Sequence, residues 1–363
     1  MPSYQNAFAV SDSVITRGEE DRQSLMRREL ESYLVARCRQ TLTTASAWSL
    51  DYTSVDHYEA SCEAHRHRWR RTVGEFTFDA PFNPRWEPCF EDEVAVGQWL
   101  TLDLDEGLSA RAVLALPKAR QGTLPLVIAQ HGISSSPERA FGLNDPKDLY
   151  HAYGRALLAA GYAVLAPSNI TNSAPRARLQ RLCLLLGKTL AGLEVGKIRR
   201  LLDFAVTLPA IDPDRVGMWG ISLGGMYTMF TAPLDKRIKA AIITAFFNDR
   251  WAKMAVSSPL YSCFLDVDEE HIWLPGWLGN GFDDSELLAL ICPRAVQIQQ
   301  GRADGIGWWP LQHATFTKAQ HYYNALQFPD RIAYADHQGG HEILVEEGVA
   351  FLNQHLQGLA HQD

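Results

Sequence analysis

Three side chains far apart in the chain, Ser222, Asp304 and His341, are of the types that together turn a hydroxyl into a nucleophile. Ser222 sits in Gly220-Ile221-Ser222-Leu223-Gly224, a Gly-x-Ser-x-Gly pentapeptide inside "VGMWGISLGGMYTMF". Alone the pattern is weak, because glycines around a serine also mark close helix–strand packing. Its setting sharpens it: "VGMWG" reads as a strand and "GMYTMFTAP" as a helix, the context of a tight turn that presents a serine Oγ beyond the end of a sheet. Attack on a carbonyl needs a base to take the hydroxyl proton and an acid to orient that base, and after such a turn both follow the serine, acid first.

Asp304 lies three residues past Gly301, the end of the strand-like "RAVQIQQG", and His341 follows the Gly339-Gly340 pair after "RIAYAD", at the expected start of the last helix. Each has a competitor. Asp249 in "FFNDRW" is the substitute acid, Asp304 also suits a plain turn in "RADG", and His337 stands nearer its strand end than His341. Asp283 and Asp284 read as caps of the helix "SELLALI". A developing oxyanion needs preorganised N–H donors. The amide of Leu223, directly after the serine, is one candidate, and the amide of Ile133 after "LVIAQHG" is the other, with His131 as a structural hydrogen-bonder under that loop.

These groups must be held by something, and the pattern of the chain says what. From about residue 90 onward short apolar runs alternate with helical stretches: "VAVGQWLTLDLDEG", "SARAVLALP", "LPLVIAQHG", "YAVLAP", "RVGMWG", "IKAAIITAF", "RAVQIQQG" and "RIAYAD" are expected strands. Helices are expected in "DLYHAYGRALLAAG" and "KIRRLLDFAVTL" and near 284–291, 311–326 and 341–356. Such runs between helices mean strands covered on both faces, hence an α/β fold with a mostly parallel, doubly wound sheet whose reactive loops lie past the strands' carboxyl ends. Before it, residues 18 to 72 carry two or three helices, and the Pro-rich "DAPFNPRWEP" marks a boundary. The expected domains are a helical N-terminal extension, 1–75, and a catalytic domain, 76–363.

The chain has 363 residues, 46% of them hydrophobic and 21% charged, and a formal net charge of −8. That balance argues against nucleic acid or an anionic membrane as partner. The one dense basic cluster, Arg66, Arg68, Arg70 and Arg71 among His65, His67 and Trp69, reads as a solvated helix face. Six scattered cysteines form no Cys-x-x-Cys pair and the histidines show no ligand spacing, so neither a disulfide framework nor a metal site is signalled. No secretory signal pattern and no run of about 18 apolar residues is visible, and a cytoplasmic location is expected.

The ordered passages "QHGISSSPE", "GYAVLAPS", "LLGKTLAGLEVGKIRRLLDFAVTLPAIDPDRVGMWGISLGGMYT", "DKRIKAAIITAFFND", "LPGWLGNGFDDSELLALICPRAVQIQQGRADGI" and "GGHEI" resemble the alpha/beta-hydrolase superfamily. More narrowly, the chain resembles its acetyl xylan esterase-like and dienelactone hydrolase-related members over roughly residues 90 to 356. The resemblance implies a serine carboxylic-ester hydrolase with no cofactor, acting on a small acyl ester, acetyl among the candidates, through Ser222, Asp304 and His341. True dienelactone hydrolases use a cysteine where this chain has Ser222, and "PSNITNS" replaces an Asp-x-Arg-Gly turn found in relatives. The helical prelude is similar to that of carbon–carbon bond and polyketide-type hydrolases of the superfamily. A prolyl-oligopeptidase-like peptidase is a further alternative, although 90 residues are too few for its propeller, and a non-catalytic binding protein is the remaining one.

A long insertion after the sixth core strand, "NDRWAKMAVSSPLYSCFLDVDEEHIWLPGWLGNGFDDS", is lid-like and rich in aromatics. Trp273 and Trp277 within it, and Trp308 and Trp309 after the acid, are expected to bind substrate by stacking on a ring or enclosing an acyl group, or else to form a lid's own core. Whether the prelude roofs the pocket or joins copies into a homo-oligomer is left open.

Overall fold

The structure, a computed structural model, describes residues 12–45, 48–143, 145 and 147–357. Its contacts divide the chain into two units, residues 1–47 and 48–363. In the first, α1 (Asp12–Ala45) is a single 34-residue helix.

In the second unit nine strands make one sheet: β1 (Arg85–Glu91), β2 (Ala95–Asp105), β3 (Leu108–Pro117), β4 (Leu124–Gln130), β5 (Ala163–Pro167), β6 (Ile211–Ile221), β7 (Ile238–Thr244), β8 (Ala295–Gly301) and β9 (Ile332–His337), in the order β1-β2-β3-β5-β4-β6-β7-β8-β9. The first three run antiparallel, β3 meets β5 antiparallel, and from β5 to β9 every pairing is parallel. All eight expected strands form. Around them lie α2 (Val55–Thr72), α3 (Pro137–Ala140), α4 (Tyr153–Ala159), α5 (Ser173–Leu185), α6 (Leu190–Ala205), α7 (Leu223–Thr231), α8 (Arg250–Ala255), α9 (Asp284–Ile291), α10 (Trp309–Ala325) and α11 (Val345–Leu352).

Side chains of the central strands alternate between two cores, as a two-residue period requires. Leu126, Ile128 and Met218 enter one core with apolar residues of α2, α6, α7, α9 and α10, whereas Val127, Ala129 and Trp219 enter the other with those of α3, α4 and α11. The alpha/beta-hydrolase fold is thus present, with the insertion between β7 and β8, the sixth and seventh of the expected strands.

Three expectations shift. The Pro-rich stretch is not only a boundary: it runs into β1, where Pro88 is accommodated on an edge strand at a register irregularity between Pro88 and Phe90. The seam falls at 47/48 instead of 75, because Tyr58, Cys62 and Trp69 of α2 are wholly buried in the larger unit's core. The basic cluster on α2 is not a uniformly solvated face. Arg66 is 4% exposed, pairs with Glu59 and Glu63 at 2.8 and 2.9 Å, and donates to the Leu290 carbonyl at 3.1 Å. Trp69 Nε1 donates to the Phe230 carbonyl of α7 at 3.1 Å.

All six cysteines are free. Among the described residues no helix is long and apolar enough to cross a membrane, and no group of three or more His, Cys, Asp or Glu side chains is placed to hold a metal ion.

Candidate active site

At the carboxyl end of β6 the chain passes into α7 through Ser222, whose backbone has φ 59° and ψ −121°. This is a region that residues with a Cβ seldom adopt, and it is held by Ser222 N–H donating to the Thr244 carbonyl at 2.9 Å and by Met226 N–H donating to the Ser222 carbonyl at 2.9 Å. The glycines serve the turn. A Cβ on Gly220 would strike the Gly224 carbonyl, and one on Gly224 would strike the carbonyl of Gln130 at the end of β4. Helix, turn and strand approach more closely here than any other residue permits.

Asp304 and His341 meet. His341 Nδ1 donates to Asp304 Oδ2 at 2.8 Å, Asp304 Oδ1 accepts from the Ile306 amide at 3.0 Å, and Asp304 is 7% exposed. The two loops that carry them are joined through the backbone: the Arg302 amide donates to the His337 carbonyl at 2.8 Å and the Ala303 amide to the Gly339 carbonyl at 3.0 Å. A Cβ at Gly301 would collide with the carbonyls of Gly339 and Gly340. With Nδ1 engaged by the acid, Nε2 is the ring nitrogen left for chemistry. The expected helical position of His341 is corrected: it stands on a loop four residues before α11 begins at Val345.

The competitors are occupied elsewhere. Asp249 caps α8 by accepting from the Ala252 amide at 2.8 Å. Asp283 forms a capping box with Glu286 at the start of α9. Asp284, expected as a second cap, is instead a fully buried partner of Arg250 at 2.6 Å. His337 Nδ1 accepts from the Gly339 amide at 3.1 Å within its own loop. His131 is buried, with Nδ1 3.0 Å from the Gly132 carbonyl and Nε2 accepting from the Asn169 amide at 3.3 Å. Those partners require the neutral Nδ1–H tautomer, and burial lowers the ring's pKa in agreement.

Ser222, His341, Ile133 and Leu223 border one cavity of about 290 Å³. Leu223 opens α7, so its amide has no intrahelical acceptor, and Gly132 before Ile133 is fixed by donating to the Tyr150 hydroxyl at 2.8 Å. Phe246, Phe264 and Ile306 supply apolar wall, while Lys253, Glu269 and His271 supply polar wall.

None of the four tryptophans expected to bind substrate lines this cavity. Trp277 is 4% exposed and packs edge-on against Phe230 at 5.2 Å, with the Arg250 guanidinium 4.7 Å above its ring. Trp273 lies half-buried against the same core, Trp309 stacks on Arg302 at 4.9 Å, and Trp308 borders a small neighbouring cleft with Tyr261. The core-of-the-insertion alternative is what Trp277 follows.

Sequence reasoning missed the polar wall. Lys253 Nζ donates to the Ser262 carbonyl, the Ser262 hydroxyl and the Ile306 carbonyl at 2.6–2.7 Å, tying the insertion to the loop that follows Asp304. A lysine in the middle of "RWAKMA" carries no sequence signal of that kind; only the apolar neighbours hint that it is buried.

No family model matches the chain. "Putative hydrolase YtaP" of Bacillus subtilis (strain 168) is 28% identical over 236 residues, 62% of this chain and 75% of that protein. Among solved structures, a putative acetyl xylan esterase from Bacteroides fragilis superposes with a TM-score of 0.67 at 17% identity, covering 84% of this chain and 81% of that one. A carbohydrate esterase family 15 glucuronoyl esterase from Caldicellulosiruptor kristjansonii gives 0.62 at 18% identity, over 84% of this chain and 87% of that one. The two structural likenesses concern the arrangement of sheet and helices.

Proposed function

We propose that the protein is a serine hydrolase that cleaves a small carboxylic ester through an acyl-enzyme, with Ser222 as nucleophile, His341 as general base and acid, and Asp304 as the group that orients it. The reading rests on one observation above all: the 2.8 Å His341–Asp304 hydrogen bond stands at the same cavity as a serine held in a strained strand-to-helix turn.

In this mechanism His341 Nε2 takes the Ser222 proton as Oγ attacks the ester carbonyl, and Asp304 steadies the imidazolium through Nδ1–H. The amides of Ile133 and Leu223 receive the oxyanion, helped by the positive end of α7. His341 then gives its proton to the leaving alcohol, and water repeats the sequence on the acyl group. At about 290 Å³ the cavity lies just below the usual range of about 300–1,000 Å³ for small-molecule sites, which favours a short acyl group such as acetyl. No step calls for a cofactor.

The test is turnover of p-nitrophenyl acetate and labelling by a fluorophosphonate. Wild type is expected to do both, and Ser222→Ala to lose labelling and at least about a thousandfold in kcat. Equal turnover by the two proteins, or no reaction of wild type with either reagent, refutes the proposal.

A further inference from the structure

His271 is fully buried, yet neither ring nitrogen has a hydrogen-bond partner among the described residues, and the ring borders the cavity that holds Ser222. Glu269 stands beside it, Oε2 being 3.2 Å from His271 Nε2 but too poorly aligned for a hydrogen bond and likewise without a partner. Buried polar groups of this kind are ordinarily satisfied. Elsewhere on the same wall they are: Lys253 Nζ has three acceptors. The turn bearing the pair is also fixed in place, since Gln180 of α5 donates to the Trp273 carbonyl at 2.9 Å and Arg181 pairs with Glu270 at 2.7 Å.

We infer that His271 and Glu269 form a specificity-determining pair that recognises a hydroxyl group on the ester. A neutral imidazole offers one donor and one acceptor, a carboxylate offers acceptors, and a hydroxyl both donates and accepts, so the three complement one another. Burial, reinforced by the Arg176 charge, lowers the His271 pKa to about 4 and keeps the ring neutral. Burial raises that of Glu269, against the opposing charges of Arg176 and Lys253. The charges near the pair are of both signs, Glu269 itself against Arg176 and Lys253, so it is the unpaired donor and acceptors, not a net charge, that the ligand must match. The inference deepens the hydrolase reading and rests on it.

Two matched pairs of esters test it: glyceryl monobutyrate against propyl butyrate, with hydroxyls on the alcohol side, and p-nitrophenyl 3-hydroxybutyrate against p-nitrophenyl butyrate, with one on the acyl side. In at least one pair wild type is expected to favour the hydroxylated ester by about tenfold or more in kcat/KM, mainly through KM, because the analogue leaves buried polar groups unpaired. The pair that shows the preference identifies which side is read. In His271→Phe the ratio should fall to within about threefold of unity, and in Glu269→Gln it should fall in the same direction. A wild-type ratio near one in both pairs overturns the inference, as does a preference that survives in both variants. Should His271→Phe not fold, the wild-type ratios and Glu269→Gln still decide. Hydrolysis of the esters without preference sinks this pair alone; hydrolysis of none of them sinks the hydrolase reading together with it.

Discussion

Lys253 is 2% exposed, and its ammonium holds Ser262 of the insertion and Ile306 of the acid's loop at once. Burial, and next the Arg250 charge, push its pKa from the ordinary 10.5 down to about 7. Between those values the unfolded chain keeps a proton that the folded chain has released, so this residue's contribution to stability rises with pH across the window and is lowest below it. Urea unfolding should therefore show the advantage of wild type over Lys253→Met growing from pH 7 toward pH 10, by at most about 1.4 kcal/mol per pH unit. A constant difference would place the charge elsewhere. The two candidate acids separate in the same direct way. Asp304→Asn is expected to lower kcat by roughly three to four orders of magnitude through the wrong imidazole tautomer, whereas Asp249→Asn, which changes a helix cap, should alter unfolding free energy by about 1 kcal/mol or less and leave kcat within about twofold. The proposed triad Ser222, Asp304 and His341 was read from residue type and distance past a strand end, which are local properties, and the structure places Asp304 against His341 and His341 on the cavity of Ser222. Lys253, Glu269 and His271 could not be read that way, because they reach that cavity only through the fold of the insertion.

The elements that could be read were those whose period is imposed by the sheet. Every buried strand appears as a short apolar run, and α9 matches its expected span of 284–291. What escaped were elements set by distant contacts. α5 carries its apolar residues with little amphipathic pattern, and three of its leucines, Leu182, Leu184 and Leu185, are exposed together with Leu186 at its carboxyl cap. α2 looked like a charged surface helix, since nothing near it in sequence announces that Trp69 inserts between Phe230 and Phe282, at ring separations of 5.0 and 5.1 Å. Because Phe230 belongs to α7, α2 braces the helix that begins just after Ser222. Trp69→Ala is expected to cost about 3–5 kcal/mol in urea unfolding; a loss below about 1 kcal/mol would mean that α2 merely rests on the surface. The tryptophans of the insertion show the limit from the other side: aromatic composition announces packing, but whether it packs a wall or a core depends on partners far along the chain.

At the scale of the molecule, unit 48–363 contains the whole sheet, both cores and every candidate catalytic group. Deleting residues 1–47 is accordingly expected to leave kcat/KM for p-nitrophenyl acetate within about twofold and the melting temperature within a few degrees; loss of activity would assign α1 to the working site. The parallel arrangement of β4, β6, β8 and β9 sends Ile133, Ser222, Asp304 and His341 to one rim of the sheet. The opposite rim does none of this work, and its exposed link at residues 118–123, between β3 and β4, touches neither the cavity nor the loops around it. New chain ends or a guest domain placed at Gly122 would meet open space there. The protein is in that sense two-sided, one border carrying the proposed site and the other available for fusion, tethering or immobilisation.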